Sequence, residues 1–333
     1  MFELSIEKLK IGVVGFGKMG MLHAGIVNAL SEAKLVAVCE KNGLIRKFLS
    51  KILKSVSVVD DVEKFSNMNL DAVYVTTPIN SHFSVVKSLY EGKITRNLFV
   101  EKTLASNFKE AEELCKLARK FGGVNMVGYM RRFSVSFMKA KDLLNKGAIG
   151  KPISFKAYAY SSDFFGFKET SKVRVSQVGV VRDLGCHAID LALWFFGDFK
   201  VEEAKTESII NDDSIDSAYF RVKGSSNLAG EFNVSWCVDG YRMPEVGFII
   251  EGSKGRLSVN DDELTLTLNN GKRQRWFRHD LGDQVDFWLG SPEYYREDKC
   301  FIKAVVSGKP ADPHFETAAK VDHVINEVLA RAD

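Results

Sequence analysis

Apolar positions along the chain fall into two textures. In the first, short apolar runs alternate with stretches of helical spacing. Residues 11–15 form an apolar run ending in glycine, and residues 21–30 follow with Leu22, Ile26 and Ala29 at helical spacing. Residues 35–39 are a second apolar run and 72–76 another, with a helix-like stretch over 84–90 after it. Residues 98–100 are short and apolar, 108–121 have the spacing of an amphipathic helix, and 124–129 are apolar again. Strands alternating with helices predict βαβ units and a parallel sheet.

The texture changes near Gly150-Lys151-Pro152, where alternation of period 2 takes over. Residues 153–160, 218–222, 231–237, 246–250 and 264–268 read as strands, and Asn269-Asn270-Gly271 supplies a hairpin turn. Such strands predict a mostly antiparallel sheet with one buried and one polar or partner-facing side. Helical spacing returns over 293–306 and 316–329. The expected fold class is a parallel α/β part followed by a part built on a large open, mostly antiparallel sheet. The division expected is 1–128 and 129–333, with the last helix free to pack on either part.

Composition narrows the class without choosing it. At 333 residues, 45% hydrophobic and 27% charged, the chain can bury one or two full cores and is not disordered. A net charge of +3 announces neither nucleic acid nor an anionic membrane. The five cysteines are scattered and form no Cys-x-x-Cys pair, so reduced thiols in a cytoplasmic protein are expected and a structural metal site is not. Residues 1–10 lack the apolar core of a signal peptide, and no apolar run of about 18 residues predicts a membrane span.

Candidate chemistry begins at Gly15-Phe16-Gly17-Lys18-Met19-Gly20, a Gly-x-Gly-x-x-Gly turn between a strand and a helix. Gly15 permits the tight turn, Gly17 lets the backbone approach a pyrophosphate, and Gly20 lets helix and strand pack closely. Glu40 closes the second strand about 20 residues further on, where a ribose-binding acid belongs. A carboxylate there favours NAD over NADP by repelling a 2′-phosphate, although Lys41 and Arg46 stand close enough in sequence to meet one.

Three further segments carry polar chemistry. Thr76-Thr77-Pro78-Ile79-Asn80-Ser81-His82 ends an apolar strand, where cofactors lie in parallel sheets. Glu101-Lys102-Thr103 follows another, so Lys102 either faces that crevice or is a surface lysine. Asp183 and His187 are four apart and Asp190 three further on, a polar cluster in an apolar helical stretch. Either the cluster is ligand-facing, or Asp183 caps the helix and His187 is a satisfied core histidine.

Together these residues resemble the glucose-fructose oxidoreductase / inositol dehydrogenase / MocA family. Gly15–Gly20, Glu40, Thr77-Pro78-x-Asn80-x-His82, Glu101-Lys102, Gly128-Tyr129-Met130-Arg131-Arg132-Phe133 and Asp183-x-x-x-His187-x-x-Asp190 occur in the family's order over nearly the whole chain. The resemblance implies a dinucleotide-binding domain, a sheet domain and a homodimer or homotetramer formed through the sheet. It also implies hydride transfer between NAD and a secondary alcohol of a sugar, cyclitol or nucleotide sugar. Lys102, Asp183 and His187 match the catalytic trio. Thr77, Pro78, Asn80, His82, Glu101, Lys102 and Arg131 match cofactor-side positions. Met130, Arg131 and Tyr241 match substrate-side ones. A dinucleotide-binding regulator and an NAD-cycling glycosidase are the family's other outcomes.

The chain departs from the family at Thr103, where proline is usual, and the loss of the ring predicts a less constrained turn. Lys272-Arg273-Gln274-Arg275-Trp276-Phe277-Arg278-His279 is basic with interleaved aromatics. After a hairpin turn it reads as a solvated or interface strand rather than a nucleic-acid surface.

Overall fold

Six parallel strands organise the first part of the chain: β1 (Leu9–Val14), β2 (Ala33–Cys39), β3 (Ser57–Val59), β4 (Ala72–Val75), β5 (Leu98–Glu101) and β6 (Asn125–Gly128). Their order is β3-β2-β1-β4-β5-β6, which reverses direction between β1 and β4. In such sheets a crevice opens at the carboxyl ends of the strands on either side of that reversal. The crossovers carry α1 (Lys18–Ala29), α2 (Gly43–Ile52), α3 (His82–Glu91) and α4 (Phe108–Phe121). Ile11, Val13, Val73, Tyr74, Val75, Leu98, Phe99 and Val100 have no exposed surface, which is why these central strands read as unbroken apolar runs. Helix α4 starts where Asn107 accepts a hydrogen bond from the backbone N–H of Glu110 (3.0 Å).

The computed structural model describes residues 7–165, 178–209 and 214–332. The chain divides into one unit of Met1–Tyr129 with Val285–Lys320 and another of Met130–Gln284 with Val321–Asp333. The second unit holds α5 (Val135–Asn145), β7 (Pro152–Tyr160), α6 (Cys186–Phe196) and strands β8 (Phe199–Glu207), β9 (Ser217–Gly224), β10 (Ala229–Ser235), β11 (Glu245–Gly252), β12 (Gly255–Asn260), β13 (Glu263–Leu268) and β14 (Arg273–Phe277). Its eight strands run β14-β13-β12-β11-β7-β10-β9-β8, antiparallel except where β7 meets β10. Phe155 of β7 stacks on Phe196 of α6, and Phe248 of β11 packs against Phe195 (5.4 Å). Helix α6 therefore covers the side of the sheet that carries Phe155, Ala157 and Ala159. The opposite side carries cross-strand ion pairs: Arg221–Glu203, Lys156–Glu231 and Arg256–Glu251 at 3.0, 3.4 and 3.1 Å.

Of the two C-terminal helices, α7 (Pro292–Ser307) belongs to the first unit, and α8 (Phe315–Ala332) divides between the two. Strand β14 is one of the sheet's two edges. On it Arg275 pairs with Glu263 and lies over the Phe277 ring (4.4 Å), so part of this basic run is neutralised within the strand pair.

Candidate functional site

The glycine-rich turn sits at the carboxyl end of β1 and opens α1. Gly15 has φ +86, and a side chain there would press on Thr77. A Cβ on Gly20 would come within 2.1 Å of the Gly15 carbonyl oxygen, so only glycine lets the helix start this close to the strand. At Gly17 an added Cβ would meet nothing within 4 Å, so the space beside it is open. Helix α1 has no side-chain cap and no acidic residue in its first turn. Its N-terminal N–H groups and positive dipole end suit a pyrophosphate. Phe16 is buried, Met19 half-buried and Lys18 exposed.

Glu40 is bound by the backbone on both oxygens. Phe16 N–H donates to Oε2 (2.8 Å) and Asn42 N–H to Oε1 (2.8 Å), so the carboxylate ties the glycine turn to the start of α2. Each oxygen keeps acceptor capacity for a ribose hydroxyl. Arg46 donates to the carbonyls of Glu40 (2.9 Å) and Lys41 (2.6 Å), so its guanidinium braces the turn.

Thr76 closes β4 from the other side by donating to the Gly15 carbonyl (2.6 Å). The hydroxyl oxygen of Thr77 is buried and has no hydrogen-bond partner among the described residues, as expected of a group that a ligand satisfies. Pro78 and Asn80 are exposed beside it. His82, expected on the cofactor, is instead fully buried. Its Nε2 faces the Thr77 carbonyl (2.8 Å) and its Nδ1 the Thr103 carbonyl (2.9 Å). Burial pushes this ring below the ordinary histidine value, against the pull of the two carbonyls.

The turn after β5 corrects an expectation. Thr103 lacks proline's ring, yet the segment is tied down by other means. Thr103 is fully buried, its hydroxyl donates to Ala105 O (3.1 Å), and its carbonyl is the one His82 holds. Lys102, half-buried, donates its backbone N–H to Oε2 of Glu101 (3.2 Å).

Behind Glu101 lies a cluster that the sequence reading missed. His23 of α1 has no exposure. Its Nε2 meets Oε1 of Glu101 (2.9 Å), and its Nδ1 meets both oxygens of Asp298 on α7 (2.8 and 2.9 Å). Burial alone would push the imidazole down. The carboxylates of Asp298 and Glu101 outweigh it and hold His23 well above the ordinary histidine value. Glu101, expected to touch the cofactor, also holds His23 and the Lys102 backbone. A signal existed: His23 lies one helical turn before Val27 on the buried side of α1, where a polar group needs a partner. The expected stripe of Leu22, Ile26 and Ala29 is off by rotation, since Ala29 is exposed and the buried face is Gly20, His23, Ala24, Ile26 and Val27.

In the second unit the Asp183–His187 segment begins as a π turn, Val181–Gly185, and continues as α6. The helical backbone starts before Asp183, so Asp183 is not its cap. Asp183 is half-buried and His187 buried, at 6% exposure. Single π turns are frequent at functional sites. Asp190 takes a paired ion bond from Arg132, Nε to Oδ2 at 2.8 Å and Nη2 to Oδ1 at 2.7 Å. Met130 is half-buried.

Two substrate-side expectations meet a different geometry. Arg131 is 6% exposed. Its guanidinium donates to Asp261 (2.9 and 3.1 Å) and to the Pro244 carbonyl (3.0 Å), an anchoring role the motif did not reveal. Tyr241 packs edge-on against Tyr158 (6.2 Å) and Tyr160 (5.2 Å). Those tyrosines alternate with Ala157 and Ala159, so Tyr241 lies on the side of the sheet away from α6 and His187. Residues 166–177, Arg174 among them, lie outside the described residues.

Comparison with known proteins gives this geometry a context. Residues 9–129 match the model of an oxidoreductase family with an NAD-binding Rossmann fold, and residues 137–258 match the GFO/IDH/MocA C-terminal domain. The chain is 28% identical to the myo-inositol 2-dehydrogenase of Thermotoga maritima, over 91% of this chain and 90% of that one. It is 24% identical to the inositol 2-dehydrogenase of Rhizobium meliloti, over 92% and 91%. Among solved structures, a levoglucosan dehydrogenase in complex with NADH and L-sorbose superposes with a TM-score of 0.86 at 19% identity, covering 98% of this chain and 96% of that one. That likeness shows a shared fold. Among the described residues no helix is long and apolar enough to cross a membrane.

Proposed function

The chain belongs to the glucose-fructose oxidoreductase / inositol dehydrogenase / MocA family of NAD-binding oxidoreductases, and from that premise we propose that it oxidises a secondary hydroxyl of a cyclitol or sugar. One observation supports this reading most. A chain related over 91% of its length to an inositol 2-dehydrogenase also carries Lys102, Asp183 and His187.

The residues present fit the dinucleotide. The uncapped start of α1 at Gly15–Gly20 would hold the pyrophosphate, Glu40 the ribose hydroxyls, and Thr77, Pro78 and Asn80 would border the rest. The nicotinamide, when bound, supplies the hydride acceptor. A secondary hydroxyl is a poor acid, so its proton needs a base as the C–H bond breaks. His187 takes that proton, since imidazole titrates near neutrality. Asp183 orients the ring and stabilises the imidazolium. Lys102 donates to the reacting oxygen and stabilises alkoxide charge. Met130 is the substrate-side residue in this reading, whereas Arg131, His82 and Glu101 act through their protein partners.

We also propose that the side of the sheet away from α6 joins a second copy of the chain in a homodimer or homotetramer. Light scattering that shows only monomers would end that part of the reading.

The test of function is absorbance at the reduced-nicotinamide band. The purified protein is incubated with NAD or NADP against a panel of inositols, aldoses and nucleotide sugars. Reduction with NAD and one polyol class is expected, with NADP the poorer cofactor while Glu40 is present. Silence across the panel, with NAD binding shown by thermal shift, would favour a regulator or an NAD-cycling glycosidase. Silence without NAD binding would sink the reading.

A further inference from the structure

Three ionisable side chains meet in the dry interior of the first unit, one residue from Lys102. Asp298 and His23 have no exposure and Glu101 has 8%. The rings of Tyr74 and Phe99 lie 5.5 and 5.0 Å from His23, and Tyr294 closes the far side at 6.2 Å. Apolar packing of equal volume often serves stability as well as such a cluster does. The cluster therefore calls for another role, and its geometry supplies one.

The two oxygens of Glu101 do different work. Oε1 is held by His23 at 2.9 Å, and Oε2 accepts the backbone N–H of Lys102 at 3.2 Å. The rotation of the carboxylate is thus set by His23, and the anchor of the Lys102 backbone follows it. His23 cannot turn away, because Asp298 of α7 grips its other nitrogen with both oxygens. His23 also rides on α1, the helix opened by the glycine-rich turn. One imidazole therefore ties the cofactor helix, the lysine turn and α7 together.

We propose that His23, clamped between Asp298 and Glu101, is a positioning residue that holds Lys102 in place for turnover. The proposal rests on the reading of Lys102 as the donor to the reacting oxygen. Misplacement of a reacting group by about 1 Å costs roughly 100-fold in rate.

The test combines hydrogen exchange at the Lys102 amide with a double-mutant cycle. Kinetics use NAD and the polyol of highest turnover. In H23Q the Lys102 amide should exchange faster, while amides elsewhere in α1 and β5 keep their protection. Its kcat should fall by about 100-fold with the KM for NAD unchanged. Added to K102M, H23Q should cost nothing further, because both act through one ammonium group. If H23Q does not fold, the isosteric D298N carries the same cycle. Unchanged exchange at Lys102, wild-type kcat in the folded variant, or losses that multiply independently with K102M would each overturn the proposal. So would exchange that rises evenly across α1 and β5 while the KM for NAD climbs with the fall in kcat, since that is loss of fold. Wild-type turnover by K102M is a separate failure: it removes the reading of Lys102, and the premise with it.

Discussion

The two units bury charge in different currencies. In the second, three buried arginines among the described residues pair with aspartates: Arg131 with Asp261, Arg132 with Asp190, and Arg182 with Asp322. A guanidinium stays charged at every accessible pH, so these pairs are permanent fasteners. In the first unit the imidazole of His23 is buried between Asp298 and Glu101. An imidazole can lose its proton, so this cluster is conditional. The permanent pairs fix α6 and the sheet. The conditional one stands next to Lys102, the residue proposed to stabilise alkoxide charge.

The largest effect expected lies in the chemistry of the second unit. His187→Ala should lower kcat by about 10²–10⁴-fold, the range for a lost general base, while thermal shift with NAD stays as in the native protein. Steady-state kinetics decide it. Retained turnover would leave His187 a core histidine and remove the chemical reason for the π turn beneath it.

Next comes the permanent kind of pair. Asp190→Ala removes the paired ion bond from the Arg132 guanidinium, which is buried at 5% exposure for the arginine. Breaking one side of a buried pair costs about 3–5 kcal/mol, measurable by urea unfolding, and the loss should not vary between pH 6 and 9. A loss that changes across that window would blur the distinction between the two kinds of buried charge.

The conditional cluster predicts the opposite pH behaviour. His23 sits well above the ordinary histidine value when folded. The folded chain therefore binds that proton more tightly than the unfolded one. Its contribution is complete below the unfolded value, about 6.5, and is lost as pH rises through the folded value. The stability gap between the native protein and His23→Gln should be widest near pH 6 and shrink as pH climbs. A gap that widens with pH would mean that the imidazole is neutral in the fold.

The contrast also explains what could be read from the chain. Repeating apolar runs made the parallel strands legible, since strands buried on both sides leave no polar interruptions. The alternation in 264–268 did the same for the open sheet. Elements with little burial were harder: β3 spans three residues, and α2 buries Leu49 alone. Motif residues such as Lys102 and Glu40 could be picked out as candidates because they stand at strand ends. Their partners could not. Asp298 lies 275 positions from His23, and Asp261 lies 130 from Arg131, and no local spacing encodes such pairings. The assignment of Arg131 and Tyr241 to ligands failed to foresee those partners for the same reason.

The smallest effect tests where the second unit's surface ends. Arg221 and Glu203 are about half-exposed across neighbouring strands, at 48% and 52%. An ion pair in that setting contributes at most about 1 kcal/mol, because water screens it and two long side chains must be ordered to form it. Arg221→Ala should therefore barely move the urea midpoint of a dilute sample. A second copy covering this side would remove the water and leave Glu203 without its partner in a drier place. The same substitution would then cost more at high protein concentration than at low. Unfolding curves at two concentrations measure the difference directly. A concentration-independent effect below about 1 kcal/mol would place this stretch of the sheet outside any interface.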